Sequence, residues 1–517
     1  MLGVPNMFKQ LIQKFLGRPK NKTTKQSSVN ENKKTEQEIN PILEDNLTTM
    51  KEIYSIPENS DVKIHQFSIT TLNKKAALIF ISSISDIKVI SDNIIEPLKH
   101  QEIQTNSIKD IIQVQSISEV TCIKDVINGV NEGNTVLLVD GERQAYVIET
   151  AKFEGRSVEK TENEVVLKGP KESFNETVST NISLIRKKIR NENLMVETVN
   201  TTVRSKNELY ILYIKDLAND KILKNVKDRV NALEVDAIQN LSLMEQYIED
   251  RPSSIFPTIL YTERPDRAAS FLEEGFIVLL MNNSPASLIL PATFWSFIHN
   301  PEDHYLRFFY GNFTRILRFS AVFITIFASA IYVAITNYHA EMIPTDLLLA
   351  ISATREKVPF PSIFEILMME LGFELIREAG LRVPNPIGPT IGIVGALILG
   401  QAAVQANIVS PIVVIVVALG GLCSYTVSDI SMNFSIRIIR FAFIFAAGFL
   451  GIYGMAALFM MGLTYMVSIR SFGVPYLAPM SPKYPSSKDN ILRKLVMNER
   501  IRPGYVQPKD LIKKQRN

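Results

Sequence analysis

The sequence predicts a mixed architecture: a cytoplasmic α/β soluble region in two lobes, followed by a polytopic α-helical membrane domain. Three observations predict it. Lys, Glu, Asp and Asn crowd the first half, while long charge-free stretches begin only after residue 315. Short apolar runs bounded by polar turns recur through the first half, as buried strands do. In the second half, uncharged segments approach the roughly 20 residues that a helix needs to cross a bilayer.

Residues 1–40 read as a disordered polar leader. Lys9, Gln10, Gln13 and Lys14 interrupt its apolar pieces, so no secretory core forms. Residues 19–40 hold almost nothing to bury. A soluble region without a signal ahead of it is expected to stay in the cytoplasm. The net charge of +3 over 517 residues gives no reason to expect a nucleic-acid partner. Cys122 and Cys423 lie in different regions with no Cys/His cluster, which argues against a disulfide framework and a structural zinc site.

The first lobe is expected over 41–130 and the second over 131–314. Residues 78–81, 136–139 and 210–214 read as buried strands, and 226–248 has apolar residues at helical spacing. Residues 135–139, Asp140-Gly141 and 145–148 form a hairpin signal, because Asp-Gly suits a turn with positive φ. A faint internal echo links Gly133-Asn-Thr-Val-Leu-Leu-Val-Asp-Gly with Gly275-Phe-Ile-Val-Leu-Leu-Met-Asn-Asn. The second copy, over 276–290, is broken by Asn282-Asn283-Ser284-Pro285, so it reads as a membrane-proximal hairpin and not as a span.

The membrane domain, 315–470, is expected to hold about four spans at 319–338, 389–407, 411–427 and 441–469. The last is long for one helix. Gly448, Gly451, Gly454 and Gly462 allow tilt, a kink or close packing, and a break there would add a fifth span. Arg307, Arg315 and Arg318 before the first span favour a cytoplasmic side, as do Arg470, Lys483, Lys488, Arg493 and Lys494 in the basic tail, 471–517. Arg437 and Arg440 fall on the opposite side in this arrangement and count against it.

Between the first two spans, 363–379 reads as an amphipathic acidic helix with Glu370, Glu374 and Glu378 one turn apart. Adjacent like charges are unfavourable unless compensated. Arg377 offers Glu374 a partner, so the plain reading is a solvated or salt-bridged face; the sharper one is an acidic ring concentrating cations at a pore mouth. Gln401 and Gln405 share a face of the second span, either joining neighbouring helices through hydrogen bonds or lining a water-filled path. Phosphate-binding, Gly-x-Ser-x-Gly and zincin motifs are absent, so neither an enzyme nor a cofactor is expected. His299 and His304, near Glu302 and Asp303, read as a surface turn in preference to a metal site.

Several runs resemble the A subunits of GerA-type spore germinant receptors. They are Thr262-Glu-Arg-Pro-Asp-Arg-Ala-Ala, Leu290-Pro-Ala-Thr-Phe, Pro301-Glu-Asp-His-Tyr-Leu-Arg-Phe and Tyr338-His-Ala-Glu-Met-Ile-Pro-Thr. Val358-Pro-Phe-Pro, Met369-Glu-Leu-Gly-Phe-Glu-Leu-Ile-Arg-Glu-Ala-Gly and the Gly-rich run from Pro386 extend the likeness. Upstream, Lys168-Gly-Pro-Lys-Glu-Ser-Phe-Asn-Glu is similar to the family's Arg-Gly-Pro element, with Lys for Arg. The resemblance implies a subunit of a nutrient-sensing complex in the inner membrane of a bacterial endospore. Its implied partners are a transporter-like B subunit, which binds the nutrient, and a lipoprotein C subunit. Homo-oligomers of the A subunit would form a gated channel for monovalent cations. On that account Val394 or Leu397 would form an apolar gate, Gln401 and Gln405 would line the path, and Glu370, Glu374 and Glu378 would form a cation vestibule. A family paralogue acting in spore formation or germination amplification is the alternative, as is a non-conducting scaffold for the transporter-like partner.

Overall fold

A computed structural model describes residues 37–100, 108–153, 161, 164, 166–382, 395, 398–486 and 490–513. The chain divides into two units, one of residues 1–153 with 190–192 and the other of 154–189 with 193–517.

In the first unit, α1 (Leu43–Tyr54) precedes an antiparallel sheet of β1 (Val62–Ile69), β2 (Lys74–Ile81), β3 (Ile117–Val120), β4 (Thr135–Val139) and β5 (Ala145–Ile148). α2 (Ile123–Asn131) lies between β3 and β4 in sequence. The strand order is β1-β2-β4-β5-β3. Side chains alternate across a strand, which divides the apolar residues between two cores. Ala77, Ile79, Val136 and Leu138 pack with residues of α1 and α2, while Leu78, Leu137, Tyr146 and Ile148 pack with Ile90, Ile94 and Ile108. The hairpin β4–β5, expected in the second lobe, is therefore central to the first sheet. Its strands are buried at every position, so they need neighbours on both edges and cover on both faces.

The second unit contains α3 (Val178–Lys188), β6 (Leu194–Asn200), β7 (Glu208–Ile214), α4 (Asp220–Asn231), β8 (Leu260–Thr262), α5 (Pro265–Leu272), β9 (Ile277–Met281) and β10 (Ser287–Leu290). Its sheet runs β6-β7-β9-β10-β8, the same order as the first. The internal echo is thus a repeated topology. Gly133 and Gly275 stand at equivalent points, between the helix and the third strand to follow in sheet order, with φ of 94° and 91°. That region suits glycine, and a Cβ on Gly133 would lie 2.8 Å from the Ile84 carbonyl oxygen. Residues 276–290 do not span; they form the buried middle of this sheet. The single helix expected over 226–248 is two, because the chain leaves α4 at Asn231, bridges Val235 to Thr202, and restarts at Leu241 under an Asn240 cap.

The rest of this unit is a helical bundle: α6 (Phe308–Tyr338), α7 (Thr345–Arg355), α8 (Ser362–Arg382), a helical stretch over 398–405, α9 (Pro411–Ser424) and α10 (Ile430–Ser468). α6 and α10 are long and apolar enough to cross a bilayer, and α9 is apolar but shorter. Contacts along α6 give the direction of its neighbours. α8 returns beside it, with Ser362 bonded to Asn337 at the far end and Glu370 to Ser329 midway, and its Arg377 reaches Ser424 at the end of α9. The acidic helix consequently lies inside the bundle, alongside α6, and not between spans as a surface element. Of the expected span 389–407, residues 383–394 and 396–397 lie outside the described residues. The stretch 398–405 packs between α8 and α9, where a Cβ on Gly372 would be 3.0 Å from Leu399 and one on Gly400 would be 3.3 Å from Val414.

α10 is not one straight rod. Ser435 bonds the Ile255 carbonyl and Ser468 bonds Arg251. A continuous helix would separate Ser435 from Ser468 by about 50 Å, whereas a chain from 251 to 255 spans at most about 14 Å. The helix must fold back, and it does so at Gly451, whose φ of 59° and ψ of −142° interrupt it. Phe327 accordingly meets both Phe443 and Phe459, one on each arm. The arms, 430–450 and 452–468, are about 31 and 25 Å long. What the sequence offered as one long span over 441–469 is the outer part of a hairpin.

Candidate functional site

Two buried charge networks organise this unit, one where the bundle meets the sheet and one inside the bundle. The first is built from the loops flanking α5. Arg264, its N-cap residue, is fully buried. One terminal nitrogen donates to Asp266 Oδ2 at 2.8 Å and to the Pro170 carbonyl at 3.0 Å, and the other donates to the Glu164 carbonyl at 3.2 Å. Tyr305 donates its hydroxyl to the same Asp266 oxygen at 2.6 Å. Arg267 pairs with Glu164 at 2.5 Å and donates to the Ser296 carbonyl at 2.8 Å. Gly169 explains the Lys168-Gly-Pro element: with φ at 125°, a Cβ there would fall 2.6 Å from the Tyr305 ring.

Asp303 extends this network into α6. It accepts from Arg315 Nε at 2.9 Å and from both terminal nitrogens of Arg318 at 2.9 and 3.0 Å, the second a two-point carboxylate–guanidinium pair. Burial alone would raise the Asp303 carboxyl, but Arg318 and Arg315 together hold it below the usual carboxylate range. Burial, then Asp266, pushes the Tyr305 hydroxyl up, so it stays a donor. Arg315 and Arg318, expected as flanking cytoplasmic charges, are buried. Their spacing of three on a helix was the available signal, since it puts both on one face.

In the second network, Arg440 is 1% exposed and one of its terminal nitrogens lies 2.9 Å from Glu370 and 2.8 Å from Glu374. Arg437 also pairs with Glu374. Glu370, with no exposure, accepts from Ser329 at 2.7 Å. Two carboxylates thus meet two guanidiniums among apolar helices, which offsets the high cost of burying either sign alone. The three carboxylates expected to act together part company: Glu370 and Glu374 pair with arginines, while Glu378 is exposed. Arg377 is not the partner of Glu374; it donates to Ser424 at 2.8 Å and lies 4.4 Å over the Tyr425 ring. A turn farther out, Glu365 accepts from the Ser410 amide at 2.9 Å and stands 3.5 Å from Arg355. Gln401 and Gln405 are both exposed on 398–405. Val394 and Leu397 lie outside the described residues.

The profile of the Bacillus/Clostridium GerA spore germination protein family matches residues 48–505. Spore germination protein KA of Bacillus subtilis is 38% identical, over 92% of this chain and 88% of its own length. Spore germination protein B1 of the same organism is 36% identical, over 92% of this chain and all of its own length. Spore germination protein GerLA of Bacillus cereus is 34% identical, over 90% of this chain and 97% of its own. Among solved structures, the N-terminal domain of the A subunit of the Bacillus megaterium spore germinant receptor GerK3 is 27% identical. It covers 50% of this chain and 98% of its own, with a TM-score of 0.38. The chain belongs to the GerA family of spore germination proteins.

Proposed function

We propose that this chain is the A-type subunit of a nutrient-sensing germinant receptor in the inner membrane of the spore, and that several copies surround a gated path for monovalent cations. The observation that carries the membrane reading is a bundle turned inside out. Glu365, Glu370 and Glu374 face inward beside arginines, while Ile415, Leu422, Phe449, Leu450 and Tyr453 face outward at 64 to 78% exposure. Water would penalise that arrangement and lipid favours it. With the fold-back at Gly451 and the return of α8, and with the expected second span 389–407 taken as a pass, the chain would make six passes: α6, α8, 389–407, α9 and the two arms of α10. An even number keeps the sheets and the tail on one side, the cytoplasmic one. Arg437 then lies towards the sheet end of its arm and Arg440 is paired with Glu370 inside the bundle, so neither counts as a loop charge on the far side.

The path itself is assigned to the expected second span, 389–407. Gln401 and Gln405 face away from their own chain, towards neighbouring copies or water, and Val394 or Leu397 would close the path by dewetting. Glu378, the exposed member of the acidic trio, would draw cations in. A transporter-like B subunit and a lipoprotein C subunit complete the receptor. The nutrient sits on the B subunit and shifts a closed–open equilibrium by its difference in affinity for the two states.

A non-conducting scaffold, or a paralogue acting in spore formation or germination amplification, is the second reading. Pairing of Glu370 and Glu374 within one chain favours the scaffold, because it withholds their charge from ions. Potassium flux from liposomes holding the purified chain separates the two. Flux that a Val394→Trp substitution alters supports the conduit. No flux from the chain alone or with its partners, or flux indifferent to Val394→Trp and to Glu378→Lys, would leave the scaffold.

A further inference from the structure

The first three turns of α6 are polar inside and apolar outside. Gly311, Arg315 and Arg318 face the sheet-bearing part of the unit, while Phe309, Tyr310, Phe313, Ile316 and Leu317 are exposed, Phe309 at 85%. A soluble helix has the reverse pattern. The same outward stripe continues through Phe323 and Ile331 into the part of α6 that crosses the bundle.

A second segment is pinned beside these turns. Arg493 is buried. Its terminal nitrogens donate to the His304 and Leu306 carbonyls at 3.2 and 2.9 Å, and its backbone exchanges hydrogen bonds with the Asn312 side chain. Anchored by that arginine, Leu492, Leu495 and Met497 stand outward, Met497 at 82% exposure. Among the described residues of 307–317 and 490–500, every exposed charge is basic: Arg307, Lys494 and Arg500.

We propose that these two segments form an interfacial anchor that lies in the headgroup layer of an anionic leaflet. The reading rests on the membrane-spanning proposal above. Two features select lipid over a protein partner. The apolar stripe is continuous with the spanning face of the same helix, and aromatic side chains at that level suit the boundary between hydrocarbon and water. The basic rim complements anionic headgroups, as in polybasic interfacial segments. α6 is about 46 Å long, so it exceeds the roughly 30 Å hydrocarbon core by several turns. The anchor occupies that excess.

The test uses the full chain in lipid nanodiscs. Trp295, the sole tryptophan, is replaced by Phe, and one reporter is introduced at a time: Met497→Trp, Leu495→Trp, or Phe323→Trp within the span. Discs rich in anionic lipid carry bromine near the top of the acyl chains. The expected result is loss of fluorescence at all three positions. Charge reversal of Arg307, Lys494 and Arg500 to Glu should restore the signal at 497 and 495 but not at 323. Quenching at 323 alone overturns the anchor and leaves the spanning reading intact. Quenching at none of the three overturns both. Quenching at 497 that ignores the charge reversal overturns the assignment to anionic headgroups. Unquenched 497 that cross-links to a second copy, through Leu495→Cys with Cys122 and Cys423 replaced by Ser, assigns the surface to an oligomer contact instead.

Discussion

At the scale of single residues, Asp303 carries the largest consequence. It is 1% exposed, and it is the carboxylate that Arg315 and Arg318 share. Removing one member of a buried ion pair costs about 3–5 kcal/mol, because the partners stay behind uncompensated. Asp303→Ala should therefore lower the thermal midpoint of the full chain in detergent markedly, whereas Glu378→Gln, at an exposed position of α8, should barely move it. Equal effects would show that Asp303 is not the clamp. The pH dependence follows from the same geometry. The folded carboxyl sits below its unfolded value, so its contribution is complete above the unfolded pKa of about 3.9 and is lost as pH falls through the folded one. Wild type should lose stability more steeply below about pH 4 than Asp303→Ala does, as unfolding followed across pH would report.

At the scale of elements, Gly451 decides the shape of α10. Its backbone lies where L residues rarely go, and a Cβ would stand 3.0 Å from His339 Nε2 and 3.0 Å from Tyr338 Cβ. Gly451→Ala should cost about 1–3 kcal/mol through strain alone. Gly462→Ala, in the open second arm where nothing lies within 4 Å, should cost nothing or stabilise slightly. Differential scanning of both variants checks this, and a harmless Gly451→Ala would sink the turn. The same element shows why sequence reading stopped short. Strands 78–81, 136–139 and 210–214 were legible because apolar runs between turns leave few options, and the glycine-led echo correctly marked two equivalent hairpins. The fold-back was not legible, because residues 441–469 are apolar throughout and several glycines compete for the break. The partners of Glu370 and Glu374 were equally hidden: Arg440 and Arg437 lie more than sixty residues away, beyond any helical spacing rule. Arg377, four residues from nothing acidic but three from Glu374, looked like the partner on local spacing and was not.

At the scale of the whole molecule, the same strand order occurs twice, but only the first copy has a core of its own. The first unit's apolar clusters draw only on its own residues. Residues 37–153 expressed alone should give dispersed amide resonances and one cooperative urea transition, on the scale of about 5 kcal/mol or more for a small domain. A broad, probe-dependent transition would mean that the rest of the chain completes its core. The second unit should not survive such dissection. Its core cluster runs from Phe174 through the sheet to Val322, Ile436, Tyr476 and Val506, so sheet, bundle and tail share one interior.

The turn at Gly451 also governs what the far end of the bundle offers to its surroundings. A reversal made by one residue leaves no loop. Among the described residues, the far end consists of that turn, the segment 339–361 with its short α7, and the tight turn at 406–410. The sheet of the same unit packs against the opposite end. The two ends of the bundle are therefore unequal in vocabulary: among the described residues, a signal arriving at the far end meets about thirty, and α7 is the longest helix among them. Among the described residues, α7 is the element at that end with the most side chains to present to such a message.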